Sequence, residues 1–267
     1  MNKTVRNGMA LVILAGALAL AAGCGGQGSS SQQAASSKQG KVLKVATEAA
    51  YPPFRYVDKD KRIVGFEVDL TKAVAEKMGA QVEFTDMPFD QLLTAVEQKK
   101  VDMAVGAITV TEERKQKVSF SDPYYKLSGY SVVVPRSGSG IRSEDDLEGK
   151  VVAAKRGSTS EDRLKDYKPA KILSMEHYAD VFKAVESGQA QAGVTGDQAA
   201  IYDLQHGGSE KLTIVGTIPT EDNFAIAVAR DNNKLTEEIN KALQEIISDG
   251  TYDSLTNKWF FDHAVSQ

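Results

Sequence analysis

The sequence predicts an α/β fold of two lobes, each built around a parallel sheet. The first observation is a strand-helix-strand-helix-strand pattern that runs through 43–105 and recurs through 150–195. The second is a pair of extended apolar segments, at 124–135 and 223–229, that flank the second unit. Such segments suit a hinge with two crossings between the lobes.

These units predict the domain boundaries. The helices after the second crossing are expected to pack back on the first lobe, which makes that lobe discontinuous. We predict a signal peptide at 1–23, a lipidated cysteine and flexible tether at 24–40, lobe 1 at 41–127 together with 223–267, and lobe 2 at 128–222.

In the first unit, strands and helices follow from the spacing of apolar residues. Strands are predicted at 43–47, 81–85 and 101–105, because these short segments are apolar or alternate in polarity. Helices are predicted at 66–78 and 89–96, where apolar residues recur at helical spacing.

The second unit repeats this order with little residue identity to the first. Strands are predicted at 150–154, 172–174 and 192–195, with a short helix at 160–167 and a second helix that ends near Gly188. A further strand at 130–134, a helix at 235–246 and an amphipathic turn at 252–260 complete the predicted elements.

The N-terminal segment has the features of a signal peptide with a lipidation site. Lys3 and Arg6 precede an apolar run at 9–20, and small residues lead to Cys24. This arrangement resembles the lipobox of bacterial lipoproteins, whose cysteine is acylated and becomes the mature N-terminus. The run is shorter than the roughly 20 residues that span a bilayer. Residues 25–40 have almost no apolar side chains, so we predict a flexible tether there.

Composition argues against several classes of function. The chain carries 36 acidic and 32 basic residues, for a net charge of −4, which disfavours a nucleic-acid partner. Cys24 is the only cysteine, so an intrachain disulfide is not possible. His177, His206 and His263 lack the spacing of metal ligands, and no cofactor or metal is expected.

The loop after the third strand is the most specific candidate for a binding site. Ligands of open α/β sheets bind beyond the carboxyl ends of the strands. Thr111 is suited to cap a helix whose first turn contains Glu112 and Glu113. Arg114 in that turn opposes the helix dipole, which makes sense if its guanidinium turns back to bind a carboxylate. A solvated arginine paired with a neighbouring acid is the structural alternative.

Three other loops contain candidate residues. In 48–54, prolines stiffen the backbone that presents Glu48 and Tyr51, although Tyr51 can equally cover the core. The segment 155–160 places hydroxyls at a helix start, which suits an anion site or a simple helix cap. Asp197 follows the last strand of the second unit and can cap a helix or receive a ligand ammonium.

Five motifs occur along the chain in a characteristic order: ATEAAYPPF, GFEVDL, AITVTEERK, FSDPYY and KRGSTSED. In combination they resemble family 3 of the bacterial extracellular solute-binding proteins, the polar amino-acid-binding components of ABC importers. The resemblance covers 41–261. It implies a periplasmic-binding-protein-like fold, an amino-acid ligand, an ABC transporter permease as partner and a monomeric protein.

The resemblance also implies how the backbone part of an amino acid is bound. Arg114 matches the arginine that clamps the ligand α-carboxylate. Thr109 and the backbone at Ala107 match groups that contact the carboxylate and the α-amino group. Thr159 matches a contact from the second lobe to the carboxylate, and Asp197 matches the acid that takes the α-ammonium.

The remaining carried-over residues surround the ligand side chain. Tyr51 and Phe89 match aromatic walls around its aliphatic part. Glu48 matches the acidic or polar residue near its end, and Lys155 matches a contact seen in glutamine-type members.

The ligand's identity stays open at this point. Glu48 beside Tyr51 suits a cationic side chain such as that of arginine or lysine. Glu48 together with Lys155 suits an amide, whereas Lys155 and Arg156 suit an acidic side chain. We predict a polar amino acid, with glutamine slightly preferred.

Two rival functions fit parts of the sequence. The fold resembles that of certain periplasmic dehydratases, in which Glu48 or Lys155 would transfer a proton. The sequence contains no recognisable set of nucleophile, base and orienting group, so we expect a binding protein and not an enzyme. A ligand-loaded sensor that docks on a membrane receptor is the third possibility.

Overall fold

The computed structural model describes residues 40–206 and 210–261. The predictions for the signal peptide, Cys24 and nearly all of the tether lie outside the described residues. Within them, the predicted class is confirmed, because two five-stranded sheets are each covered by helices.

The strands of the described residues are β1 Lys41–Thr47, β2 Ala50–Tyr51, β3 Arg55–Val57, β4 Ile63–Val64, β5 Ala80–Asp86, β6 Met103–Ala104, β7 Val118–Phe120, β8 Tyr125–Lys126, β9 Gly129–Pro135, β10 Val151–Lys155, β11 Lys171–Met175, β12 Ala192–Gly196, β13 Leu212–Pro219, β14 Asn223–Phe224 and β15 Ala227–Ala229. The helices are α1 Phe66–Lys77, α2 Phe89–Glu97, α3 Glu112–Lys115, α4 Thr159–Leu164, α5 Tyr178–Glu186, α6 Asp197–Gln205, α7 Asn233–Ser248 and α8 Thr251–Thr256.

The first sheet has the strand order β5-β1-β6-β15-β7, and the second has the order β11-β10-β12-β9-β13. In each sheet one strand runs opposite to the others: β15 in the first and β9 in the second. Both reversed strands follow a crossing, where β8 and β14 pair as an antiparallel ribbon. A chain that arrives from the other lobe enters at the carboxyl edge of the parallel strands, so it must run antiparallel to them.

The helices lie on both faces of each sheet. Helix α1 packs on β5 and α7, while α2 packs on β1, β6 and β15. In the second sheet, α5 and α4 pack on β10 and β12, and α6 packs on β9, β12 and β13. This arrangement leaves the loops at the carboxyl ends of β1, β6 and β10 free to meet between the two sheets.

Helix α1 begins where the sequence patterning places it. Phe66, Leu70 and Val74 are fully buried on one face. The preceding Gly65 has φ of 136°, and a Cβ there would clash with the Phe54 backbone, so only glycine fits this close approach. The helix therefore holds its first turn against the loop that follows β2.

Some elements differ from the sequence-based prediction. Strand β6 covers only Met103–Ala104, shorter than the predicted 101–105. The segment predicted as one strand at 223–229 forms the two short strands β14 and β15. The β2-β3-β4 hairpin and β13 were not predicted. The exact lobe boundaries and the hinge stay predictions.

Candidate ligand site between the two sheets

Predicted site residues from both sheets meet in one region. The Oγ atoms of Thr109, after β6, and Thr159, the first residue of α4, lie 3.0 Å apart within a hydrogen bond. The Lys155 ammonium at the end of β10 pairs with the Glu48 carboxylate after β1. Convergence of these loops follows from the parallel strands, whose carboxyl ends point toward the opposite sheet.

Arg114 reaches across this region from the short helix α3. The backbone N–H of Arg114 donates to the Thr111 hydroxyl over 3.2 Å, which caps the helix as predicted. Its guanidinium turns back and donates to Thr109 O over 2.9 Å and to Gly157 O over 3.0 Å. Both acceptors are carbonyl oxygens, so neither hydrogen bond compensates the cation with a full negative charge. Burial accordingly lowers the pKa of Arg114 from its ordinary value.

Hydroxyl groups lie beside this guanidinium. The Thr159 Oγ1 is 2.6 Å from the Tyr130 hydroxyl, which also donates to Asp222. Burial, followed by the hydrogen bond to Asp222, raises the pKa of Tyr130 well above its usual range. The Ser158 hydroxyl caps α4 by accepting from the Glu161 N–H. The helix cap is therefore present, and the anion site at this helix start stays a prediction.

Four buried ionisable side chains form the other end of the region. Arg55 Nη1 lies 3.0 Å from Glu67 Oε2, and Arg55 Nη2 lies 3.5 Å from Glu48 Oε2. Glu48 also pairs with Lys155, so the four charges alternate in sign along the chain of contacts. Burial raises the pKa of Glu48, but Lys155 and Arg55 outweigh it and leave the pKa lowered.

The same surroundings shift the pKa of Lys155, which stays above that of Glu48. The pKa of Lys155 is lowered to about 8, because burial and, more weakly, Arg55 lower it by more than Glu48 raises it. At neutral pH both members of the Lys155–Glu48 pair are therefore ionised.

Glu67 fixes the backbone of the loop after β6. Its Oε1 accepts from the Ala107 N–H over 2.7 Å and from the Tyr124 hydroxyl. Ala107 has φ of 50°, a left-handed conformation that is strained for alanine. The carboxylate of Glu67 stabilises that conformation by accepting from the Ala107 N–H, in the backbone that the resemblance assigns to ligand binding.

The aromatic candidates line the same region. Tyr51 is 1% exposed and stacks on Tyr178 with ring centroids 4.1 Å apart. Phe89 faces two cations, with Lys155 Nζ 4.5 Å and the Arg114 guanidinium 5.7 Å from its centroid. These distances are those of cation–π contacts.

Asp197 lies toward the beginning of α6. Its Oδ1 accepts from the Gln198 N–H over 2.7 Å, and its carboxylate also bonds to Ser128. Burial raises the pKa of Asp197 above its ordinary value. Burial raises the pKa of the Tyr51 hydroxyl, and the negative charge of Asp197 raises it further. Direct contacts between other candidates are those of Glu48 with Lys155 and of Thr109 with Thr159 and Arg114.

Sequence reasoning missed several members of the cluster. Arg55 and Glu67 were not assigned, although Glu67 belongs to the GFEVDL motif. His177, set aside for its spacing, has Nδ1 3.0 Å from Glu48 Oε1. Tyr130 and Tyr178 were also missed. A buried charge between aromatic residues, as in Phe54-Arg55-Tyr56, was the available signal.

A cavity of about 330 Å³ borders the site, and its lining includes Phe89, Arg114, Gly157 and Thr159. Its volume falls in the range of small-ligand pockets. A larger depression of about 680 Å³ lies between β7 and α7 and is not lined by any predicted site residue. The chemistry of the lining, and not the volume, favours the smaller cavity.

Within the described residues, no helix is both long enough and apolar enough to cross a bilayer. In the same ranges, no group of three or more His, Cys, Asp or Glu side chains is arranged to hold a metal ion.

The chain belongs to the bacterial extracellular solute-binding proteins, family 3, whose family model matches residues 43–262. The match includes both sheets and every residue of the site described above.

Individual relatives are binding proteins for amino acids. The arginine-binding extracellular protein ArtP of Bacillus subtilis (strain 168) is 36% identical over 237 residues, which cover 87% of this chain and 91% of that protein. Two structures of an ancestral arginine-binding protein, one bound to arginine and one to glutamine, are each 40% identical with a TM-score of 0.77. Each match covers 82% of this chain. It covers 98% of the chain in the arginine-bound structure and 97% of the chain in the glutamine-bound structure.

A further similar structure connects the fold to an enzyme. It is the ancestral amino-acid-binding protein AncCDT-1, described as a precursor of cyclohexadienyl dehydratase. It is 35% identical with a TM-score of 0.75, and the match covers 82% of this chain and 95% of that one.

Proposed function

We propose that the protein captures a polar amino acid between its two lobes and delivers it to an ABC importer. The observation that carries this proposal is the Arg114 guanidinium, which bridges the two sheets through carbonyl oxygens alone. A ligand α-carboxylate offers two oxygens in the geometry of a guanidinium and supplies the missing negative charge. The hydroxyls of Thr109 and Thr159 add donors beside it.

The α-ammonium needs an acceptor on the same ligand face. In our proposal Asp197 takes this role after a change in the separation of the lobes, and the Ala107 carbonyl oxygen assists. Because the ligand would touch groups of both lobes, its binding would favour the closed state over an open one.

We propose that Glu48 binds the ligand and does not act as a catalytic acid. A dehydratase would use a cleft acid to donate a proton, and such a group needs a pKa near the working pH. The pKa of Glu48 is lowered by Lys155 and Arg55, so the carboxylate is ionised at neutral pH and unsuited to act as an acid.

The test is a thermal-shift panel. The purified protein, refolded to remove carried-over ligand, is mixed with each of the twenty amino acids. A ligand at about 1,000 times its Kd should stabilise the protein by about 4 kcal/mol. For a chain of this size the Tm should rise by roughly 8–16 °C with one or two polar amino acids. No shift with any amino acid, in protein shown to be folded, would refute the proposal.

We also propose that the protein works outside the cytoplasm as a monomer, held to the membrane by a lipid on Cys24. Support comes from the family's extracellular character and from the motif at the end of the apolar run. Replacement of Cys24 by alanine should move the protein from the membrane fraction to the soluble fraction and abolish labelling by a radioactive fatty acid. Unchanged membrane retention and labelling would contradict the anchor.

A further inference from the structure

The cluster around Glu48 is electrically complete without a ligand. Lys155, Arg55 and Glu67 are each 1% exposed and Glu48 is 2% exposed. The contacts run from Lys155 to Glu48, from Glu48 to Arg55 over 3.5 Å, and from Arg55 to Glu67 over 3.0 Å. Two cations therefore balance two carboxylates in a region removed from water. A third cation would be an unpaired buried charge, which is strongly disfavoured.

Both oxygens of Glu48 are already in use. Its Oε2 contacts Lys155 and Arg55, and its Oε1 lies 3.0 Å from His177 Nδ1. A ligand guanidinium or ammonium would have to displace one of these groups before Glu48 could compensate it. Arg55 cannot move aside easily, because Glu67 binds its guanidinium from the other end.

Lys155 occupies the position that a cationic ligand side chain would need. Its Nζ lies 4.5 Å from the Phe89 centroid and 5.0 Å from the Tyr178 centroid. Aromatic faces next to a carboxylate are a favourable place for one cation. Burial, with a smaller contribution from Arg55, lowers the pKa of Lys155 to about 8 although Glu48 raises it, so a second positive charge at this point is disfavoured.

Building on the proposed function, we propose that Arg55 is a specificity-determining residue. Together with Lys155 it neutralises Glu48, so that the side-chain end of the site selects a neutral carboxamide and rejects cationic side chains. This assignment rests on the buried series of ion pairs that runs from Lys155 to Glu48, Arg55 and Glu67.

A carboxamide fits the cluster without adding charge. Its oxygen accepts from the Lys155 ammonium, and its NH₂ group donates to a remaining lone pair of Glu48 Oε1, whose contact with His177 uses only one. No charged group has to leave the cluster, because the carboxamide brings no charge that needs compensation. A ligand carboxylate has no proton to donate to Glu48, and the two anions would repel each other. The chemistry therefore favours glutamine or asparagine over arginine, lysine and glutamate.

The experiment compares two ligands in three proteins. Isothermal titration calorimetry measures the Kd of glutamine and of arginine for the full-length wild type, Arg55→Gln and Arg62→Gln. Wild type should bind glutamine at least about tenfold more tightly than arginine. Arg55→Gln removes a cation from the cluster, so the ratio should shift toward arginine by about tenfold or more. Arg62 is the matched control, since it lies in the same hairpin but its side chain is 69% exposed and pairs with Asp58.

A second variant guards against loss of folding in Arg55→Gln. Lys155→Gln removes the same charge while leaving the Arg55–Glu67 pair in place, and it should shift the ratio in the same direction. Wild-type preference for arginine, or a ratio that neither variant changes, would overturn this inference and leave amino-acid binding intact. Absence of any amino-acid binding by folded wild type would overturn the proposed function and this inference together.

Discussion

Replacement of Arg114 by alanine is expected to weaken binding of the preferred amino acid by about 2–5 kcal/mol, the usual loss when one partner of a buried charged pair is removed. The variant would leave the ligand carboxylate among hydroxyls without a cation. Isothermal titration calorimetry with the amino acid identified by the thermal-shift panel measures the change in Kd directly.

The matched control is Lys115→Ala on the same short helix. The Lys115 side chain is 50% exposed and pairs with Glu112 over 2.8 Å, so its removal should leave the affinity nearly unchanged. Circular dichroism checks that both variants are folded. A loss of less than tenfold in Arg114→Ala would show that the arginine does not clamp the ligand.

Replacement of Glu67 by alanine is expected to lower the free energy of unfolding by about 3–5 kcal/mol, the cost of breaking a buried ion pair by removing one partner. Arg55 would lose its 3.0 Å partner, and the strained Ala107 backbone would lose its acceptor. Urea denaturation of the ligand-free protein measures this change.

Glu76→Ala is the control for helix α1, because Glu76 is exposed on the same helix. Its effect should stay within about 0.5 kcal/mol, as for ordinary surface substitutions. Equal unfolding free energies for Glu67→Ala and Glu76→Ala would mean that the buried charge chain contributes nothing to stability.

The parts of the site that the sequence predicted are those carried by loops after parallel strands. Lys155 ends β10, Thr159 follows that strand and Glu48 follows β1, so the topology alone brings them to one edge. Arg114 was identified because a cation in the first turn of a helix conflicts with the helix dipole, a local rule that needs no tertiary information.

Arg55 and Glu67 could not be found in this way. Their contact depends on the β2-β3-β4 hairpin, whose strands of two and three residues are too short to show a periodic pattern. His177 was set aside because it lacks the spacing of a metal ligand, and its contact with Glu48 joins residues that are 129 positions apart in sequence. Contacts of this kind are set by the packing of the two sheets against each other.

The direction of the two reversed strands could not be predicted from the local sequence pattern either. The apolar runs at β9 and β15 predict strands, but a run of buried residues is the same whichever way the strand points. The reversal follows from where the chain enters each sheet after a crossing.

The most direct measurement of the central claim is a crystal structure of the protein with the amino acid that raises its Tm most. We predict that the α-carboxylate lies within hydrogen-bond distance of the Arg114 guanidinium and of the Thr109 and Thr159 hydroxyls, with the ligand side chain between Glu48 and Lys155. A ligand bound elsewhere, with Arg114 still donating to the Thr109 and Gly157 carbonyl oxygens, would contradict the account.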